Sequence, residues 1–122
     1  MTEETDEQRN KRIRREILTD AYTTDEQAIS WCYHLEREMS FPFQARCIEE
    51  RTISPLREDE QVRVVGMTAE VVSSREMFVL VEFMDRESGV PLSQLEVLDV
   101  GQDTRNAVDD WHYWNGDGGR LG

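Results

Sequence analysis

Residues 76–84, EMFVLVEFM, form the stretch of sequence that decides the fold. Every second residue belongs to one apolar set, made up of Met77, Val79, Val81 and Phe83. A period of two predicts a β-strand that turns this set towards a core. We therefore expect Val79 and Val81 to be buried.

Other short apolar segments surround this strand within residues 41–99. They lie at 43–48, 61–67, 90–92 and 96–98, and polar or proline-containing turns separate them at 53–60, 85–88 and 93–95. Short strands at this spacing are typical of a small barrel. The sequence therefore predicts an α+β protein built on a small SH3-like β-barrel of about five strands.

Helical patterns flank the predicted barrel on both sides. Residues 7–18 place a few apolar side chains on one stripe among basic residues, and residues 24–39 are strongly amphipathic. Thr24 and Gln27 match a capping box at the start of the second pattern. Residues 103–115 repeat apolar positions at three and four, with Asp103 as the predicted N-cap.

These segments predict one domain over residues 1–122. We expect residues 1–6 to be disordered, residues 7–39 to form the helical N-terminal part, residues 41–99 the barrel, and residues 103–115 a short C-terminal helix.

The chain is strongly acidic. It has 26 Asp and Glu against 14 Lys and Arg, a net charge of −12, and only one of the 14 basic residues is Lys. Five of the bases lie within residues 9–15. Such a chain repels nucleic acid and anionic membranes and attracts cations or a basic protein partner. Adaptation to a salty cytoplasm is a second explanation of the acidity.

Several classes of function lack support in the sequence. There is no P-loop, GxGxxG, GxSxG or HExxH motif, and His34 and His112 have no sequence neighbours that suggest a triad. Cys32 and Cys47 lack the spacing of a zinc site and are expected to be reduced and buried. No signal peptide or membrane-spanning apolar run is present. We expect a monomeric, cytoplasmic protein that is not an enzyme.

The aromatic cluster of Trp111, Tyr113 and Trp114 has two interpretations. Such rings can stack on nucleic-acid bases when basic residues surround them. Nothing basic is near them in the sequence, so packing in the core is the preferred interpretation of the two tryptophans.

Carboxylates are the remaining candidates for a site. Ca²⁺ takes about 6–8 oxygen ligands, and the EF-hand pattern is absent, so any site must be gathered from separate elements. Glu36 and Glu38 end the second helix, where acids oppose the macrodipole and favour an added cation. We expect them to converge with Asp109 and Asp110 of the C-terminal helix, with Asp20 as a weaker candidate.

Segments spread over nearly the whole chain also carry a family resemblance. They are Asp20-Ala21-Tyr22, Trp31 to Glu36, Phe41-Pro42-Phe43, Ser54-Pro55-Leu56, Val65-Gly66-Met67, Met77-Phe78-Val79, Val90-Pro91-Leu92 and Asp110-Trp111-His112-Tyr113-Trp114. In order and spacing the chain resembles the CcbP family of cyanobacterial calcium-binding proteins over about residues 12–114. The resemblance implies a small acidic cytoplasmic protein that binds Ca²⁺ without an EF-hand. Where the family pattern often has an acid, this chain has Arg37.

Two functions remain open at this point. The first is a cytoplasmic calcium buffer or regulator that binds Ca²⁺ through surface carboxylates. The second is an SH3-like protein-interaction module that holds a basic peptide, with an acidic surface that reflects salt adaptation. The shape of a small barrel does not choose between them, because such folds host many functions.

Overall fold

The computed structural model of the protein describes residues 4–68 and 76–116. These residues form three helices and five strands. The helices are α1 (Asp6–Glu16), α2 (Thr24–Glu38) and α3 (Gln102–Gly116). The strands are β1 (Phe43–Cys47), β2 (Gln61–Met67), β3 (Phe78–Phe83), β4 (Arg86–Pro91) and β5 (Leu95–Leu98), with a 3₁₀ turn at Leu92–Gln94 between the last two.

The strands form one antiparallel sheet in the order β4-β3-β2-β1-β5. The α+β class and the five strands are as predicted. The prediction of a closed SH3-like barrel is wrong, because in the described part of the chain the edge strands β4 and β5 do not pair with each other. Alternation along each strand specifies which face is buried, but it carries no information about whether the first and last strands of a sheet meet.

The buried face of β3 is the one predicted from the alternation. Val79 and Val81 are fully buried, and Met77 just before the strand is buried with them. Val81 lies opposite Val64 of β2, so two β-branched side chains pack directly across the strand pair. This face belongs to a single core that also includes Trp31 of α2 and Trp111 of α3.

The turn between β3 and β4 is shorter than expected. Residues 85–88 were predicted as a polar turn, yet Phe83 pairs with Arg86 and only Met84 and Asp85 connect the strands. Both residues have positive φ, 50° and 63°, as in two-residue hairpins whose twist matches that of the strands. Because the turn is this short, β4 begins at Arg86 and includes residues 86–88, which are all polar.

Helix α2 begins one residue earlier than the predicted cap implies. Thr23 accepts a hydrogen bond from the Glu26 amide at 3.1 Å, and the Glu26 carboxylate accepts one from the Thr23 amide at 3.0 Å. The chain offers a second such pair in Thr24 and Gln27, and the structure uses the pair that places a carboxylate, rather than a neutral amide, at the positive end of the helix.

This cap predicts a pH-dependent stability. The hydrogen bond from the Thr23 backbone holds the pKa of Glu26 below its usual value of 4.5. The stabilisation by ionised Glu26 is therefore complete above pH 4.5 and is lost as the pH falls through the lowered pKa. We expect Glu26→Gln to lower the melting temperature at pH 7, and the difference from the parent to shrink towards pH 3. The control is Glu87→Gln on the exposed part of β4. A difference that does not change with pH would contradict the assignment.

The two ends of the described chain differ slightly from the prediction. Thr5 forms a capping box with Gln8 and α1 begins at Asp6. Residues 1–3 lie outside the described residues, and the expectation that residues 1–6 are disordered stays a prediction. Helix α3 begins at Gln102, so Asp103 lies in its first turn and is not the N-cap. Among the described residues, no helix combines the length and apolar composition needed to cross a bilayer.

Candidate functional site

The three helices meet around buried tryptophans. Trp31 of α2 and Trp111 of α3 are both almost fully buried, and their rings make an edge-to-face contact with centroids 5.2 Å apart. Trp114 packs beside Trp31 at 6.2 Å. This contact fixes α2 against α3, and therefore fixes the polar side chains that the two helices turn outward next to it.

A cleft with an acidic lining lies where α1, α2 and α3 come together. We call it the acidic cleft; its volume is about 180 Å³, and it is lined by Arg12, Glu16, His34, Glu38, Asp103, Asn106, Ala107 and Asp110. Each helix contributes at least one carboxylate. Among the described residues, four carboxylates and one amide therefore line this cleft, and Arg12 is the lining residue with a permanent positive charge.

Asp110 is the most buried of these carboxylates. Only 7% of its side chain is exposed, and it accepts two hydrogen bonds from Arg12, Nη2 to Oδ1 at 2.7 Å and Nη1 to Oδ2 at 2.9 Å. The Nε of Arg9 lies 3.5 Å from the same Oδ1. Two-point contact between a guanidinium and a carboxylate is among the strongest side-chain interactions.

Arg12 also holds a second carboxylate. Its Nε and Nη2 donate to the two oxygens of Glu4 at 2.9 and 3.1 Å. The hydrogen bonds to Asp110 and then to Glu4 raise the pKa of Arg12 above its usual value, and the hydrogen bond from Arg12 lowers the pKa of Glu4. The guanidinium of Arg12 thus bridges Glu4, which precedes α1, and Asp110 of α3.

A second cleft adjoins the first on the other side of Asp110. Its volume is about 350 Å³, and its lining is Glu4, Arg9, Arg12, Asn106, Asp109 and Asp110. Two arginines and three carboxylates balance most of the charge there. Asp109 faces this second cleft and is absent from the lining of the acidic cleft.

The five residues predicted as a site are therefore only partly brought together. Glu38 and Asp110 line the acidic cleft, and Asp109 lines the adjoining one. Glu36 is exposed and acts on Cys32, whose pKa is raised by burial and then by the Glu36 charge. Asp20 lies with Arg14 and Arg15 beside a separate cleft at the end of α1. The shared site for Glu36 and Asp20 stays a prediction.

Glu16, Asp103 and Asn106 also line the acidic cleft and were not among the predicted site residues. A signal for two of them was present, because Asp103, Asn106 and Asp110 recur at three and four and so share one face of α3. His34 also lines the acidic cleft; burial lowers its pKa, and the Glu38 charge opposes that shift. His112 has a structural role as expected, with its Nε2 at 2.7 Å from the Leu95 carbonyl oxygen.

The donor set of the acidic cleft suits a hard cation, since carboxylate and amide oxygens are the ligands that Ca²⁺ prefers. The side chains are not yet arranged as a coordination shell. Within residues 4–68 and 76–116, no three Asp, Glu, His or Cys side chains lie close enough together to hold a metal ion. An ion would therefore have to draw these carboxylates inward, and the Arg12 contacts with Asp110 stand in its way.

Comparison with known proteins gives consistent results. Residues 11–115 match the sequence profile of the CcbP family, described as calcium binding. No curated protein sequence matches the chain significantly. The crystal structure of Anabaena CcbP is similar, with 34% identity, a TM-score of 0.78 and 93% of each chain covered. A structure described as a calcium binding protein in the calcium-binding form gives the same identity and TM-score, covering 93% of this chain and 94% of that one. The chain therefore belongs to the CcbP calcium-binding family.

Proposed function

We propose that this protein binds Ca²⁺ in the acidic cleft. The observation that carries the proposal is that four carboxylates from three helices line one cleft, in a chain of the CcbP family. Asp110 and Glu38 are the proposed central ligands, and Asp103 and Glu16 complete the carboxylate set. Helices held together by buried tryptophans position these groups more precisely than a mobile loop would.

The size and chemistry of the cleft support this assignment. Its volume of about 180 Å³ exceeds that of an ion and leaves room for water molecules. Ca²⁺ accepts 6–8 oxygens in flexible geometry, so water and the Asn106 amide oxygen can complete a shell that carboxylates begin. Zn²⁺ is disfavoured, since it prefers Cys and His ligands and the described part of the lining holds one His and no Cys.

The remaining predicted ligands have secondary places in this proposal. Asp109 lies in the adjoining cleft and adds negative charge near the ion. Glu36 and Asp20 lie outside both clefts and would bind ions separately, as weak exposed carboxylates. Binding of moderate strength suits a calcium buffer or regulator, which we propose as the cellular role.

We also propose a domain organisation and a cellular compartment for this protein. The core residues of the helices and the sheet form one cluster, which supports the expectation of a single domain. Cys32 and Cys47 are both free, with Cys47 buried and Cys32 half-buried, as suits a compartment that keeps thiols reduced. We therefore propose a cytoplasmic protein.

Calorimetric titration with Ca²⁺ tests the site. Glu38→Gln should weaken binding by about tenfold or more, because it removes a charged ligand from the shell. Glu36→Gln removes the same charge from the same helix outside the cleft, and Glu87→Gln removes it from β4. Both should bind Ca²⁺ nearly as the parent does.

This titration distinguishes a wrong ligand set from a wrong function. If Glu36→Gln weakens binding as much as Glu38→Gln, the ligand set is the one predicted from the end of α2 and not the acidic cleft. If the parent gives neither heat nor a higher melting temperature at millimolar Ca²⁺, the proposed function itself fails, since any ion that binds only the folded state must stabilise it.

A second candidate function has one observation in its favour. Tyr22, Ile29 and Tyr33 lie on the outward side at and near α2, with exposed fractions of 82%, 46% and 70%. Exposed aromatic side chains are typical anchors of protein interfaces, and the acidic surroundings favour a basic partner. Binding of basic peptides without any response to Ca²⁺ would favour this second candidate.

A further inference from the structure

The guanidinium of Arg12 lies in the acidic cleft and neutralises the carboxylate of Asp110 there. Its two terminal nitrogens engage both oxygens of Asp110 at 2.7 and 2.9 Å. Glu16, one helical turn further along α1, has a carboxylate oxygen 4.0 Å from the same guanidinium. The most buried carboxylate of the cleft is therefore already paired, with its two oxygens directed at a group that belongs to the protein itself.

Ca²⁺ needs these same oxygens. A carboxylate whose two oxygens are held by a guanidinium fork cannot present both to an ion without releasing at least one of those hydrogen bonds. Ion and guanidinium thus compete for one position.

We propose that Arg12 is the resident cation of the acidic cleft, that Ca²⁺ binds by displacing its guanidinium from Asp110, and that Arg12 thereby sets the calcium affinity. This inference rests on the proposed function and adds the competitor against which Ca²⁺ must bind.

Contacts with Glu4 can hold the guanidinium of Arg12 after it leaves Asp110. Arg12 keeps two hydrogen bonds to Glu4, which is about one-third exposed, and its own side chain is 28% exposed. Ile13 beside it is fully buried, so α1 remains anchored in the core while Arg12 moves. The exchange therefore requires a change of side-chain rotamer and leaves the helix in place.

Competition of this kind favours Ca²⁺ over smaller and weaker cations. A monovalent ion offers no more charge than the guanidinium it would replace, and it makes no bidentate hydrogen bonds. Mg²⁺ gives up its water reluctantly and demands near-octahedral geometry, so it gains less from direct contact with Asp110. Ca²⁺ has two charges and sheds water more readily, which is the combination needed to displace a bidentate arginine.

The test compares two variants that each remove one positive charge from α1. Arg12→Gln should bind Ca²⁺ about tenfold more tightly than the parent, since the two hydrogen bonds between the guanidinium and Asp110 need then not be broken. The weaker contact of Arg9 with Asp110, at 3.5 Å, is present in both proteins. Lys11→Gln is the control, because Lys11 is exposed and, among the described residues, forms an ion pair with Glu7 at 3.4 Å and none with Asp110. A gain in affinity that is equal in both variants would be a general effect of charge and would overturn the inference.

A second measurement uses the unaltered protein and does not depend on the folding of a variant. The Nε–H of Arg12 donates to Glu4 beside the contacts with Asp110, so its NMR signal should shift as Ca²⁺ is added and Asp110 is released. If the parent binds Ca²⁺ while this signal stays fixed, the inference fails and the proposed function stands. If the parent binds no Ca²⁺, the proposed function fails first.

Discussion

Val81→Asp should unfold the protein. Val81 is fully buried in the middle of β3, opposite Val64 of β2. Within residues 4–68 and 76–116, no Lys, Arg or His is buried, so no buried cation is there to pair with a new carboxylate. An unpaired buried charge costs several kcal/mol, against a total stability of about 5–15 kcal/mol for a domain of this size. Circular dichroism and the dispersion of the amide NMR spectrum measure the loss directly.

The control for this substitution is Glu82→Asp on the same strand. Glu82 faces solvent and pairs with Arg63 at 3.3 Å, so the shorter acid changes the strand propensity without burying any charge. This variant should melt within a few degrees of the parent, as exposed substitutions usually change stability by no more than about 0.5 kcal/mol. A dispersed, stable spectrum from Val81→Asp would show that this face of β3 does not form the core.

Trp31→Ala should destabilise the protein by about 3–5 kcal/mol, the range found when a buried aromatic side chain is truncated. The side chain is 1% exposed, and it makes an edge-to-face contact with Trp111. The loss also reaches the acidic cleft, since Glu38 and Asp110 lie on the two helices that this contact joins. We therefore expect weaker Ca²⁺ binding together with the lower stability.

Tyr33→Ala provides the comparison for this second variant. Tyr33 lies two residues further along α2 and is 70% exposed, so its truncation leaves no cavity. Denaturant unfolding should give nearly the parent's midpoint for Tyr33→Ala and a much lower one for Trp31→Ala. Equal midpoints would mean that the contact between α2 and α3 contributes little to the fold.

The helices and strands of this fold could be predicted from the sequence, but whether the sheet closes into a barrel could not. Strand β2 has the predicted bounds, Gln61–Met67, and Val79 and Val81 are buried as their alternation requires. Periodicity is a local property of the chain, and it is strong where one face of an element is apolar. Whether β4 and β5 pair depends on twist and on the connections between strands, which no single segment encodes.

The site was predictable only in part, for a related reason. Acids at the end of α2 and on α3 could be identified from the chain, and Glu38 and Asp110 do share a cleft. Arg12, the partner of Asp110, could not be identified, because it is 98 residues from Asp110 in the sequence. Charge complementarity between distant segments becomes visible only after the helices are packed.

A similarly long separation along the sequence explains why the expectation that no basic residues lie near the aromatic cluster was wrong. Nothing basic is close to Tyr113 and Trp114 along the chain, yet Arg9 lies over the first ring at 5.2 Å and Arg14 over the second at 4.9 Å. The expectation that Trp111 packs in the core is confirmed. The arginines of α1 cover the other two rings, so these rings are engaged in cation–π contacts within the protein.

The long separation between Arg12 and Asp110 also sets an order of events at the ribosome. Synthesis proceeds at roughly 5–20 residues per second, so α1 is complete several seconds before α3 exists. Until then its clustered positive charges have neither Asp110 nor the rings of Tyr113 and Trp114 as partners. The nascent chain therefore exposes the basic side chains of α1 before α3 is made, and the acidic cleft becomes complete only after α3 has been added.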